Sequence, residues 1–153
     1  MSTPIIYFEG DTEKKGSHGV AWSEIYSLGN EQLDTQHKQL FEFVSNLVAA
    51  CIDGSSTEKL NETLDFLVNY TVRHFSDEEA LQVKYNFPEY EQHKKMHEDF
   101  KTTVTELVGR FNNSASPTEL NNDINKIVVR WLVTHIQRED KKIGDHIRKV
   151  TGG

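Results

Sequence analysis

Cysteine is almost missing from this chain. Cys51 is the only one in 153 residues, so no internal disulfide can staple the fold. It lies on an apolar stripe, where a small buried hydrophobe is expected rather than a reactive thiol. Long hydrophobic runs are missing too: none approaches the ~18 residues that a membrane span needs. The first ten residues lack a basic region followed by a long apolar one, so they do not read as a secretory signal, and a cytoplasmic location is expected. Positive charge is in the minority. Seventeen Lys and Arg face 24 Asp and Glu for a net charge of -7, with no clustered basic stripe to follow a phosphate backbone. Nucleic acid is therefore not an expected partner. What remains, 27% charged and 36% hydrophobic residues, suits one globular domain long enough to bury a sizeable core.

Residues 1–29 show no clean periodicity and carry Gly10, Gly16, Gly19 and Gly29 among Tyr7, Phe8, Trp22, Ile25 and Tyr26. They read as an extended arm whose aromatics pack on the main body. The body, residues 30–150, shows four amphipathic stretches. Asn30 is a plausible N-cap for the first, in which Leu33, Leu40, Phe41, Val44, Leu47, Val48 and Cys51 step by three and four. Asp53-Gly54 ends it, because glycine accepts the left-handed conformation common just past a helix. Ser55 with Glu58 has the pattern of a capping box for the second helix, whose inward face is Leu60, Leu64, Leu67, Val68, Thr71, Phe75 and Leu81. Pro88 breaks that pattern and suits the first turn of a third helix running to Phe111, with Met96, Phe100, Val104, Leu107 and Val108 inward. Ser116, Pro117 and Glu119 form a strong helix start, followed by Leu120, Ile124, Ile127, Val128, Trp131 and Leu132. Residues 141–149 read as a short tail or terminal turn. Four helices of about twenty residues joined by short loops predict an all-α, antiparallel up-down-up-down four-helix bundle.

The inward stripes also carry residues that an oily core should not hold: His37 on the first, His74 and Glu78 on the second, His93 and His97 on the third, His135 and Asp140 on the fourth. Each histidine alone is ordinary as a hydrogen-bonded core residue. Together with two acids they point to metal, because a carboxylate buried alone costs several kcal/mol, roughly, and calls for a cation. His74 with Glu78, and His93 with His97, lie four apart, on one helix face each. His135 and Asp140 are five apart, about 140° around an ideal helix. The spacing therefore predicts a local distortion, such as a widened turn, between them. Five imidazoles and two carboxylates are too many for one ion and fit two six-coordinate ions, with iron or manganese favoured and copper and zinc compatible by ligand type. The open position would face Leu40, Phe75, Trp131 and Leu132, which suits a small uncharged ligand such as dioxygen.

In order and spacing, His37-Lys-Gln-Leu-Phe, His74-Phe-Ser-Asp-Glu78, His93-Lys-Lys-Met-His97 and Trp131-Leu-Val-Thr-His135 through Asp140 are similar to the ligand motifs of the hemerythrins. Trp22-Ser-Glu-Ile-Tyr-Ser-Leu-Gly with Asp34-Thr-Gln-His37 resembles the bacterial branch. The resemblance implies two non-haem irons bridged by Glu78, Asp140 and an oxo or hydroxo group, with His93, His97 and His135 on one iron and His37 and His74 on the other. It also implies reversible dioxygen binding at the iron with fewer histidines, in a carrier or store rather than an enzyme. Ile143 stands where the family usually has a tyrosine, which bears on autoxidation rather than on metal binding. An oxygen or redox sensor with a separate partner and a di-iron peroxidase or oxidase are the competing readings. Ferritin-type Glu-x-x-His pairs are absent, and Lys94 occupies the place where a zinc-protease motif needs glutamate. His18 and His146 match no ligand position and are expected at the surface.

Overall fold

The computed structural model describes residues 20–113 and 116–152, and every regular element among them is helical. Helix α1 (Glu31–Ile52) starts at Asn30, whose side chain accepts the Leu33 N–H. It ends at Asp53, where Gly54 takes a φ of +77° that a Cβ would strain. Helix α2 spans Thr57–Lys84. Its cap is Ser56, bonded to Lys59 N, one residue beyond the Ser55 expected from the sequence; Ser55 instead donates its own N–H to the Ala50 carbonyl in the turn. Helix α3 (Tyr90–Asn113) begins two residues later than Pro88 suggested, because Pro88 is spent in the turn closed by Tyr90 N–H on the Phe87 carbonyl.

The fourth rod is one continuous right-handed path in five pieces. Helix α4 (Pro117–Asp123) opens with both reciprocal bonds of the Ser116–Glu119 capping box. A π-helical stretch (Ile124–Val129) leads into α5 (Arg130–His135), a second π-helical stretch (Ile136–Asp140) follows, and α6 (Lys141–Thr151) closes the rod. Residues 141–149, expected as a tail, are thus a helix whose Ile143, Gly144 and Ile147 are buried. The alternation of apolar residues every three to four positions continues there but is carried by only two isoleucines, which is why it reads faintly. Helix α1 packs against α2 and the fourth rod, and α2 against α3, the adjacency of an up-down-up-down bundle.

The described part of the arm is docked. A 3₁₀ turn, Glu24–Tyr26, sets Tyr26 edge-on against Phe41 at 5.0 Å between ring centres. Leu28 is fully buried, its N–H donates to Asp34 Oδ1, and its carbonyl accepts from Arg148 Nη1. Trp22 is half-buried against the core with Lys38 Nζ 4.5 Å from its ring centre. Tyr7, Phe8 and His18 lie outside the described residues.

Candidate metal centre

Each of the four rods turns its polar intruders to the same interior level. His37 comes from α1, His74 and Glu78 from α2, His93 and His97 from α3, and His135 and Asp140 from the fourth rod, and none is more than 5% exposed. His135 and Asp140 meet because the stretch between them is π-helical. With hydrogen bonding of the i→i+5 kind, a residue five positions on stands about one turn further along the same face.

The seven side chains form two overlapping groups. Glu78, His93, His97, His135 and Asp140 make one; His37, His74, Glu78 and Asp140 make the other; within each, ligand atoms lie within 4.8 Å of one another. Both carboxylates divide their oxygens between the groups. Glu78 Oε1 is 3.0 Å from His93 Nε2 and 3.1 Å from His97 Nε2, while its Oε2 is 3.5 Å from His74 Nε2 and 3.7 Å from His37 Nε2. Asp140 Oδ1 is 3.0 Å from His93 Nε2 and 3.1 Å from His135 Nε2, and Oδ2 is 3.1 Å from His37 Nε2. Every imidazole therefore presents Nε2 inward.

The electrostatics fit a cation pair. Burial would depress the His37 and His93 imidazoles, but Asp140 and Glu78 beside them win and hold His37 at about 9 and His93 at about 10. Burial likewise opposes ionisation of both acids, yet the surrounding imidazoles keep Glu78 and Asp140 below the usual carboxylate range. Proximity is not satisfaction. Nε2 of His37 and His97, Oε2 of Glu78 and Oδ1 of Asp140 are all buried with no aligned hydrogen-bond partner. His93 Nε2 and His135 Nε2 sit 3.1 Å apart, two ring nitrogens brought to one point. Five imidazoles and two carboxylates converging without thiolate, with two of the imidazole Nε2 atoms and one oxygen of each acid unpaired, are a donor set for divalent first-row metal.

Outside this ring stand residues the sequence reading passed over. Glu79 Oε2 lies 2.8 Å from His97 Nδ1, and Gln36 Oε1 lies 2.7 Å from His74 Nδ1. Gln36 Nε2 in turn donates to Asp77 Oδ2 at 2.9 Å. Each is a sequence neighbour of a motif residue, and adjacency to the motifs was the available signal. Gln82, fully buried with both amide atoms unpartnered, is one turn beyond Glu78 on the same stripe; it, rather than the half-buried Leu81, continues the inward face.

Of the apolar groups expected around the open position, Phe75 stacks on His97 at 3.8 Å between ring centres and Trp131 on His135 at 4.2 Å. Leu40 and Leu132 are buried in the same core, and Ile143 is fully enclosed. His146, expected at the surface, is half-buried: its Nε2 donates to the Tyr85 carbonyl, and its ring meets Phe87 edge-on at 5.6 Å. The helix that replaces the expected tail carries it there.

The profile described as the hemerythrin HHE cation binding domain matches residues 28–147. The chain belongs to the hemerythrin family. Among curated hemerythrin relatives, the bacteriohemerythrin of Methylococcus capsulatus is 33% identical over 111 residues, 72% of this chain and 82% of that one. The hemerythrin-like protein of Naegleria gruberi is 34% identical over 121 residues, 79% of this chain and 87% of its own. A crystal structure of wild-type hemerythrin superimposes with a TM-score of 0.75 at 28% identity, covering 84% of this chain and 97% of that one. The hemerythrin fold thus agrees with the sequence resemblance. No helix among the described residues is long and apolar enough to cross a membrane.

Proposed function

We propose that this hemerythrin-family chain binds dioxygen reversibly at a non-haem di-iron site, as a carrier, store or delivery protein rather than an enzyme. One observation carries the reading: Glu78 and Asp140 each turn one oxygen to each imidazole group. His93, His97 and His135 would hold one ion, His37 and His74 the other, with Glu78 and Asp140 shared. Two irons bound there supply the electron pair on which reversible dioxygen binding draws.

The chain supplies the surroundings. His97 and His74 donate their Nδ1 protons outward, to Glu79 and Gln36, which fixes the tautomer and leaves each Nε2 lone pair facing inward. Phe75 and Trp131 wall the three-histidine side with ring faces, and Leu40 and Leu132 are buried in the same core. Such walls would keep water and protons from the ion that His93, His97 and His135 hold. They also argue against enzymology. Gln82, the buried polar side chain one turn beyond Glu78, is an amide, whose N–H protons are far too weakly acidic for general acid catalysis.

The test is metal content with the optical spectrum of the reduced protein through cycles of air and deoxygenation. About two irons per chain, with charge-transfer bands that come in air and leave with it, are expected. Irons that oxidise once and do not return would replace the carrier reading with redox enzymology or sensing. Sensing has one observation in its favour: α6 begins directly after Asp140, and its Gly144 and Arg148 meet the Leu28 carbonyl of the arm, a mechanical path from ring to N-terminal segment.

A further inference from the structure

The two imidazole groups are unequal beyond their histidine count. His97 Nδ1 faces the Glu79 carboxylate at 2.8 Å, and that carboxylate is only 15% exposed, so little water screens it. A carboxylate only accepts, so His97 must donate to it. His74 Nδ1 faces an amide oxygen, that of Gln36, at 2.7 Å. The orientation of this amide is fixed from the far side, because Asp77 can only accept and so takes the Nε2 protons. The result is a full negative charge one hydrogen bond outside one group and a neutral dipole in the same place outside the other, with the Asp77 carboxylate one residue further out.

We propose that Glu79 and Gln36 are opposed positioning residues that make the two metal positions electronically different. Glu79 pulls on the Nδ1 proton of His97, raises the basicity of its Nε2, and favours higher positive charge on the ion held with His93 and His135. Gln36 orients His74 equally well but adds no charge. The three-histidine position is therefore the tighter site and the one that gives up an electron first. This rests on the reading that the seven side chains hold two ions, and it does not require that the ligand be dioxygen.

Cobalt(II), whose visible spectrum reports each bound ion, is the probe. The parent chain, stripped of metal, should take up cobalt in two steps. Glu79→Gln keeps an acceptor for His97 while deleting the charge; it should weaken the first step by roughly 10- to 100-fold, the range typical of outer-shell changes, and leave the second within about twofold. Gln36→Glu should strengthen the second step alone. The iron-loaded proteins give the second readout: Glu79→Gln should raise the potential of the first electron removed, and Gln36→Glu should lower the gap between the two. Unchanged cobalt steps and potentials in both variants overturn the proposal, as does a loss confined to the two-histidine position in Glu79→Gln. If the variants shift cobalt as expected while the iron-loaded parent fails to cycle with air, the inequality of the positions stands and the oxygen-carrier reading falls.

Discussion

At the scale of single residues, the seven side chains are not equivalent. Glu78 belongs to both groups and His37 to one, so their loss should differ in kind. Glu78→Ala should hold almost no metal, whereas His37→Ala should retain about one ion per chain, in the group of which it is not a member. Metal analysis after gel filtration distinguishes the two, and equal retention in both variants would refute the shared position of Glu78. The apolar stripes made these residues readable, because a histidine or acid stands out when its neighbours at three and four positions are Leu, Phe and Val. Glu79, Gln36 and Asp77 had no such contrast. They lie on half-exposed faces where polar residues are ordinary, and only the folded distances to His97 and His74 separate them from solvated side chains.

At the scale of elements, the fourth rod is where local rules and the site compete. The five-residue separation of His135 and Asp140 conflicts with a straight helix, and the conflict itself signalled a widened turn; the structure resolves it with the π-helical stretch Ile136–Asp140. The other π-helical stretch, Ile124–Val129, has no such pair to betray it and was not legible. A π turn behaves as one residue inserted into an α-helix. Deleting exposed Gln137 should therefore leave Asp140 facing inward at the i+4 spacing already used by His74 and Glu78. The expected outcome is parental helicity by far-UV circular dichroism and parental metal content. Loss of both metals on deletion would show that the π geometry itself, rather than the facing it restores, is required. The same rod also closes on the arm. A Cβ on Gly144 would stand 2.4 Å from the Leu28 carbonyl oxygen, which is backbone and already held by Arg148, so it has little room to yield. Gly144→Ala should cost roughly 1–3 kcal/mol, read as a lower denaturation midpoint, and should release the arm to proteolysis. The expected arm was extended; its docking through Leu28 depends on this contact 116 residues away in sequence, which periodicity cannot foresee.

For the whole molecule, the interior ring sets how stability varies with pH, and the sign depends on whether metal is bound. His37, held at about 9, and His93, held at about 10, are both raised above the ordinary 6.5. In the chain stripped by a chelator their contribution is fully present below pH 6.5 and is lost as pH rises through 9 and 10. Glu78 and Asp140 are held below their ordinary 4.5 and 3.8, so their contribution is present above those values and is lost as pH falls through the depressed ones. Metal-free protein should thus be most stable between about pH 4.5 and 6.5 and should weaken steadily toward alkaline pH. Bound metal reverses the alkaline limb. Ions replace the protons on Nε2, so metal binding releases protons and tightens as pH rises. Thermal denaturation at steps of pH, with and without metal, should give curves that diverge above pH 6.5, the stripped protein falling and the loaded one holding or rising. The alkaline fall should shrink when His93→Gln removes one raised imidazole. A stripped protein whose midpoint is flat from pH 6 to 10 would mean that the imidazoles and carboxylates of the ring do not hold one another as charged pairs without metal.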